Sequence, residues 1–277
     1  MIGGDERQAR LELCEFARDI WLRHLGGAGD GNLSVRVGHN RILTTPSACH
    51  KGRLKPKDIV AVDLLGRPLG SGKPSSEIAL HVAAYAARDD VGAVIHAHPP
   101  MATAFELAGG RLSDLFVSEV IFAFGQVATA PYTTPTTPDV AATLAPYLKC
   151  YDVVMMPRHG SVTLGRDLEQ AFIRLDAMEH TARVCATAQL LGAQFNGPPA
   201  PLPDAEVDRL YAAARPDSGP IWRQGGSGCP PLDVAASPAG AVDCASSPAA
   251  SGRPGLAPPD ERLVAAVLAS LAGGSDR

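Results

Sequence analysis

The sequence predicts an α/β fold with helices packed on a sheet. Three observations predict it. Strand-type alternation and helix-type periodicity intermix as far as residue 195, as they do when helices cover a sheet. Residues 91–98 form a short apolar run of the kind a buried strand needs. Residues 169–191 are periodic over several turns and are followed by Gly192, a helix-ending residue.

In order along the chain, residues 6–24 read as an amphipathic helix, with Leu11, Cys14, Ala17 and Leu22 near one stripe. The glycine-rich stretch 26–32 is a loop. Leu33, Val35 and Val37 alternate with Ser34 and Arg36, a strand signal, and residues 41–45 supply its hairpin partner. Residues 58–63 form another short strand, and 64–68 a turn. Pro74, Ser75, Ser76 and Glu77 open a helix: proline suits the entry, serine can cap it and glutamate suits its first turn. Ile78, Val82 and Tyr85 are the expected apolar stripe of that helix. Residues 127–130 and 152–156 are further strands, and 204–214 one more helix. Beyond residue 215 the composition changes. Residues 216–258 hold 15 Pro plus Gly among 43, so this span is expected not to pack, with a short helix over 260–272. A folded domain over 1–215 and a largely disordered tail over 216–277 are the expected organisation.

The totals narrow the function classes. A chain of 277 residues with 45% apolar and 19% charged residues suits a globular cytoplasmic protein. The net charge of −4, without long runs of either sign, gives no reason to expect nucleic acid or an anionic membrane as partner. Asp5, Glu6, Arg7 and Arg10 stand where a signal peptide needs apolar residues, and no window is apolar enough for a membrane span. The six cysteines are scattered and form no C-x-x-C pair, so reduced, mostly buried thiols are expected.

The chemistry concentrates around His96-Ala97-His98. Residues two apart on a strand share a face, so both imidazoles project together. Three nitrogen ligands with an open position are a common catalytic metal arrangement. His159, just after the strand at 152–156, is the candidate third ligand. An H-x-H alone is a weak signal, and His24, His39, His50 and His180 are read as structural or exposed. His81 lies four residues after Glu77, either a contact behind the site or an ordinary helical neighbour. Gly31-Asn32 lets backbone approach a ligand closely, and Ser75 and Ser76 sit where a helix N-terminus favours phosphate, although plain capping is equally consistent. No Walker loop, dinucleotide fingerprint or nucleophile elbow is present in the sequence.

Together these elements resemble the class II aldolase/adducin family. The resembling segments are Gly31-Asn32-Leu33-Ser34-Val35-Arg36, Thr45-Pro46-Ser47-Ala48, Pro74-Ser75-Ser76-Glu77, His96-Ala97-His98, Ala130-Pro131-Tyr132 and His159-Gly160, in family order across about residues 7–195. The resemblance implies a three-layer α/β/α sandwich and a fourfold homotetramer with active sites between subunits. It implies one divalent metal per subunit on His96, His98 and His159, with zinc favoured and manganese, cobalt or iron as alternatives. It also implies a phosphorylated sugar held around Gly31, Asn32, Ser47, Ser75 and Ser76, and Glu77 as the acid/base.

The implied reaction is reversible cleavage of a ketose 1-phosphate to dihydroxyacetone phosphate and an aldehyde. Fuculose 1-phosphate and a deoxy or methylthio pentulose 1-phosphate are the candidate substrates. Decarboxylation of a sugar-acid phosphate, epimerisation and dehydration are alternatives on the same metal site, and a non-catalytic adducin-like interaction module is the alternative of another class. The sequence departs from the family's fuculose-cleaving members at Ala48, where they carry glycine, and at Arg158, where they carry histidine. It has no tyrosine within 116–124, which leaves Tyr211 as a candidate proton donor to the aldehyde oxygen. If the apolar residues Phe116, Val117, Ile121, Phe122 and Phe124 line the site, they favour a less polar aldehyde.

Overall fold

The computed structural model describes residues 5–192, 194–195, 197, 199–214 and 228–233. The chain divides into two units, Met1–Ala236 and Ser237–Arg277, and every described residue lies in the first. The helix expected over 260–272 lies outside the described residues.

Among the described residues, seven strands form one sheet in the order β3-β2-β1-β4-β7-β6-β5. They are β1 (Asn32–Arg36), β2 (Ile42–Thr44), β3 (Val60–Val62), β4 (Ala93–Ala97), β5 (Val127–Thr129), β6 (Val153–Met156) and β7 (Gly160–Gly165). All neighbours pair antiparallel except β5 and β6. The helices are α1 (Glu6–Leu22), α2 (Ile78–Ala87), α3 (Pro100–Leu107), α4 (Ser118–Ala123), α5 (Pro138–Cys150), α6 (Leu168–Gly192) and α7 (Asp204–Ala214).

The period-two alternation of β4 separates the two layers that flank the sheet. Ala93, Ile95 and Ala97 enter one core cluster with Leu13 of α1, Phe105 of α3, Ile121 of α4 and Leu175 of α6. Val94 enters the other, with Leu80 and Ala84 of α2 and Leu144 and Leu148 of α5. The result is the three-layer α/β/α sandwich. His96 shares the parity of Val94, so it belongs to the face covered by α2.

At the end of the sheet where β4 and β6 begin, Asp152 is fully buried between two arginines. Arg88, which follows α2, approaches it at 2.7 Å, and Arg174 of α6 pairs with its other oxygen. Helices from both faces are thereby tied to one carboxylate. The second guanidinium also donates to the Leu164 carbonyl at 2.6 Å, which satisfies more of its buried donors.

Three expectations change. Cys150 and Cys229 are not free thiols but form a disulfide. Within the span expected not to pack, residues 228–233 lie along β5: the Thr129 N–H donates to the Leu232 carbonyl, and the Tyr151 hydroxyl donates to the Pro230 carbonyl at 2.7 Å. Cys229 and Leu232 give this segment apolar side chains to bury against the second cluster, enough to seat six residues in a proline- and glycine-rich surround. The buried face of α2 is Leu80, His81, Ala84 and Tyr85: of the expected stripe Tyr85 is buried, whereas Ile78 and Val82 are only partly buried.

Candidate metal centre and proton-transfer group

Backbone geometry assembles the site where β4 ends. Asn32 of β1 stands directly across from His96 of β4. The β6–β7 hairpin closes through residues 157–159, with Arg158 in the left-handed region at φ 59°, and this turn carries His159 up beside His98. Two glycines make the close approach possible. A Cβ on Gly160 would lie 2.3 Å from the Ala97 carbonyl oxygen and 2.9 Å from Cδ2 of His98. Gly31 has φ +71°, and a Cβ there would meet the His96 carbonyl oxygen at 2.5 Å.

The three imidazoles converge as the sequence predicts. Ring centroids are 4.8–4.9 Å apart in every pair, and one nitrogen from each ring lies within 4.8 Å of the others. His96 is fully buried and its Nδ1–H donates to the Ser161 carbonyl at 2.9 Å, which turns Nε2 toward the other two rings. Nε2 of His98 lies 3.1 Å from that atom. Two imidazole nitrogens bound tetrahedrally to one zinc ion stand about 3.3 Å apart, so the trio fits a small divalent cation with little adjustment. Burial lowers the pKa of His98 to about 4, with the neighbouring His96 adding to the shift, and burial likewise lowers that of His159. Both rings are therefore neutral near pH 7, the form that ligates a metal.

Glu77 faces this centre from the residue preceding α2. Its Oε2 is 3.3 Å from Nε2 of His96, and its Oε1 is 3.6 Å from Nε2 of His159. The Asn32 amide N–H donates to Oε2 at 2.9 Å, while Oε1 is buried without a hydrogen-bond partner. Burial alone would raise the Glu77 pKa, but hydrogen bonding and attraction from His96 together with the Asn32 donor hold it at about 2. It is a carboxylate at any physiological pH, with one oxygen fixed and the other aimed at the histidines.

The remaining candidates border the same region. The Ser47 N–H donates to the Lys73 carbonyl at 3.0 Å and Pro46 bridges to Pro74, which sets the 45–48 loop against the 73–76 loop. Ser75 is buried and its hydroxyl accepts the Glu77 N–H at 3.2 Å, so it caps the turn that presents Glu77; Ser76 is exposed. Ala48 keeps the left-handed φ of 53° although it is not glycine. The stretch 116–124 is used by the core: Phe116, Val117, Ile121 and Phe124 join the first cluster, and Phe122 is exposed. Tyr211 of α7 packs against that cluster too. His81, read from sequence as an undecided neighbour, is fully buried and hydrogen-bonded to Asn32, and Ser34 behind it was not singled out.

Comparison with known proteins identifies the family to which this fold belongs. The chain belongs to the family described as class II aldolase and adducin N-terminal domain, whose model matches residues 11–186. It is 30% identical to a 3-oxo-tetronate 4-phosphate decarboxylase of Haemophilus influenzae, over 64% of this chain and 86% of that protein. It is 34% identical to a methylthioribulose-1-phosphate dehydratase of Methylococcus capsulatus, over 61% of this chain and 88% of that protein. Among solved structures, an L-fuculose 1-phosphate aldolase superposes with a TM-score of 0.67 at 28% identity, covering 74% of this chain and 95% of that one. No helix among the described residues is long and apolar enough to cross a membrane.

Proposed function

We propose that this chain is a metal-dependent lyase that cleaves a ketose 1-phosphate reversibly to dihydroxyacetone phosphate and an aldehyde. The observation that carries the reading is the convergence of three imidazoles on one ion-sized centre, with the unbonded oxygen of Glu77 facing it. Breaking a carbon–carbon bond next to a ketone leaves negative charge that must be stabilised. A divalent cation on His96, His98 and His159 would supply Lewis-acid stabilisation of that charge, and nitrogen ligation favours zinc.

In synthesis the Glu77 carboxylate takes a proton from the carbon through Oε1, and in cleavage it passes to that carbon the proton released by the hydroxyl that becomes the aldehyde oxygen. Gly31, Asn32, Ser47, Ser75 and Ser76 hold the phosphate and so orient the donor half. The three histidines and Glu77 count against a purely interacting, adducin-like role, because a scaffold has no use for a metal-ligating trio. The fourfold homotetramer with inter-subunit sites and the cytoplasmic location belong to the same reading, and light scattering on purified protein tests the assembly.

Decarboxylation of a 3-oxo sugar-acid phosphate is the second reading. Loss of carbon dioxide requires one proton delivered to carbon and no second acid for an aldehyde oxygen. Within the described residues, Tyr211, Phe116, Val117, Ile121 and Phe124 are accounted for by core packing, and Glu77 is the carboxylate nearest the trio, with Asp30 4.0 Å from Nδ1 of His98. A panel of ketose 1-phosphates, assayed for dihydroxyacetone phosphate release, decides between the two when run beside carbon dioxide release from a 3-oxo-tetronate 4-phosphate. Glu77→Gln keeps the size of the side chain and removes the base, so turnover should fall roughly 100-fold or more while metal is retained. A nearly normal rate in that variant assigns the proton to another group.

A further inference from the structure

We propose that His81 is a positioning residue for Glu77, acting through the side-chain amide of Asn32. The inference rests on the reading of Glu77 as the proton-transfer group. A buried chain of side chains runs away from that carboxylate. Asn32 bonds Glu77 Oε2 at 2.9 Å; His81 Nε2 bonds Asn32 Oδ1; Ser34 Oγ bonds His81 Nδ1 at 2.6 Å; the Tyr85 hydroxyl bonds Ser34 Oγ at 2.8 Å. Asn32, Ser34 and His81 are at most 3% exposed and Tyr85 is 4% exposed, so water does not compete for these bonds.

The carboxylate end fixes the polarity of the chain. Glu77 only accepts, so Asn32 must turn its N–H toward it and its carbonyl oxygen toward His81. His81 must then carry its hydrogen on Nε2, which leaves Nδ1 to accept from the Ser34 hydroxyl, and Ser34 in turn accepts from Tyr85. Every donor points toward Glu77. The opposite amide orientation would set a carbonyl oxygen against the carboxylate and a pair of N–H groups against an imidazole N–H. Glu77 thus forbids the Asn32 flip and His81 anchors the amide oxygen from the other side, so the bond to the ionised acceptor, stronger than a neutral one, is held from both ends.

Residue placement favours this role over simple core filling. Asn32 sits across the β1–β4 ladder from His96, and His81 follows Glu77 by one helical turn on the buried face of α2. One strand and one helix therefore hold both ends of the link rigidly. A side chain needed only for volume at position 81 would be apolar, because a fully buried imidazole must find partners for two nitrogens.

The test is a double-substitution cycle on the full metal-loaded chain, using whichever substrate the panel above identifies. His81→Phe keeps the ring volume and removes both nitrogens. It should lower kcat roughly 10- to 100-fold, the worth of the Asn32 bond to the Glu77 carboxylate that His81 keeps in place, with KM and metal content nearly unchanged. His81→Gln, which can still present an N–H to Asn32, should recover much of that loss. Asn32→Ala should lower kcat at least as much and also raise KM through the lost phosphate contact, and adding His81→Phe to it should lower kcat little further, because both act on Glu77 through one link. Should the phenylalanine variant fail to fold, His81→Asn takes its place in the cycle, being polar but one methylene too short. Multiplying effects, no rescue by glutamine, or an unaltered kcat in the single variant would each overturn the proposal. Glu77→Gln is measured in parallel. If it is fully active the proton-transfer reading itself fails, whereas an inactive Glu77→Gln with multiplying effects at 81 and 32 refutes only the role of His81.

Discussion

Replacing Gly31 by alanine should damage the fold and the metal centre together. Two costs add. Gly31 has φ +71°, where a residue with a Cβ loses about 1–2 kcal/mol. The new Cβ would also lie 2.5 Å from the His96 carbonyl oxygen and 3.2 Å from the Ala97 Cα, where carbon–oxygen contacts ordinarily begin near about 3.3 Å. Both neighbours are backbone of β4, so the strand itself must move by several tenths of an ångström. Overpacking of this kind costs about 1–3 kcal/mol, giving roughly 2–5 kcal/mol in all. Gly38 is the matched control: its φ is +67° but a Cβ there meets nothing within 4 Å, so Gly38→Ala should carry the backbone cost alone. Urea titration of both variants isolates the steric part as the difference between them. Because the displaced carbonyl belongs to a proposed ligand residue, His96, Gly31→Ala should also release metal more readily than wild type. Equal urea midpoints for the two variants, with unchanged metal retention in Gly31→Ala, would refute the close-approach argument.

Cys229→Ser should lower stability by up to about 4.5 kcal/mol in the chain-entropy model, since the bridge to Cys150 spans 79 residues, and limited proteolysis should then cut near residues 228–233; unchanged stability and protection would show that the hydrogen bonds to Thr129 and Tyr151 suffice. Acid should destabilise the fold in a defined window. Burial lowers the His81 pKa from 6.5 to about 3, so the unfolded chain takes up a proton that the folded chain refuses. That stability is complete above about pH 6.5 and is lost as pH falls toward 3, by roughly 5 kcal/mol over the whole window. The Glu77 shift from 4.5 to about 2 acts with the same sign at lower pH. The urea midpoint should therefore drop between pH 7 and pH 4.5, and less so in His81→Phe; a flat profile in wild type would contradict the buried neutral imidazole.

Much of the site was legible because its chemistry repeats at short sequence spacing. The strand period places His96 and His98 on one face, and the proline-serine entry marks the turn that presents Glu77. His81 was harder to read. In Ile78–Ala87 small and apolar residues occur all around the helix, so periodicity gave no sharp phase and pointed to Ile78 and Val82 instead of Leu80, His81 and Ala84. Ser34 looked like the polar half of a strand alternation, yet it is fully buried because α2 covers that face. The Cys150–Cys229 bridge joins residues 79 apart and has no local signature. The packed residues 228–233 vanished in the average composition of the 43 around them. In 116–124 the apolar side chains were visible but their destination was not, since only the tertiary fold sends Ile121 and Phe124 into the core on one side of the sheet while His96 belongs to the other.

The central claim is that His96, His98 and His159 together hold one divalent ion. Elemental analysis of purified wild type beside the three single histidine-to-alanine variants tests it most directly, each after dialysis against the same metal-buffered solution. The structure predicts about one metal per chain in wild type and near-complete loss in every variant, with the fold retained by circular dichroism. Stoichiometric metal in any of the three variants, or metal-free wild type with full turnover, would contradict it.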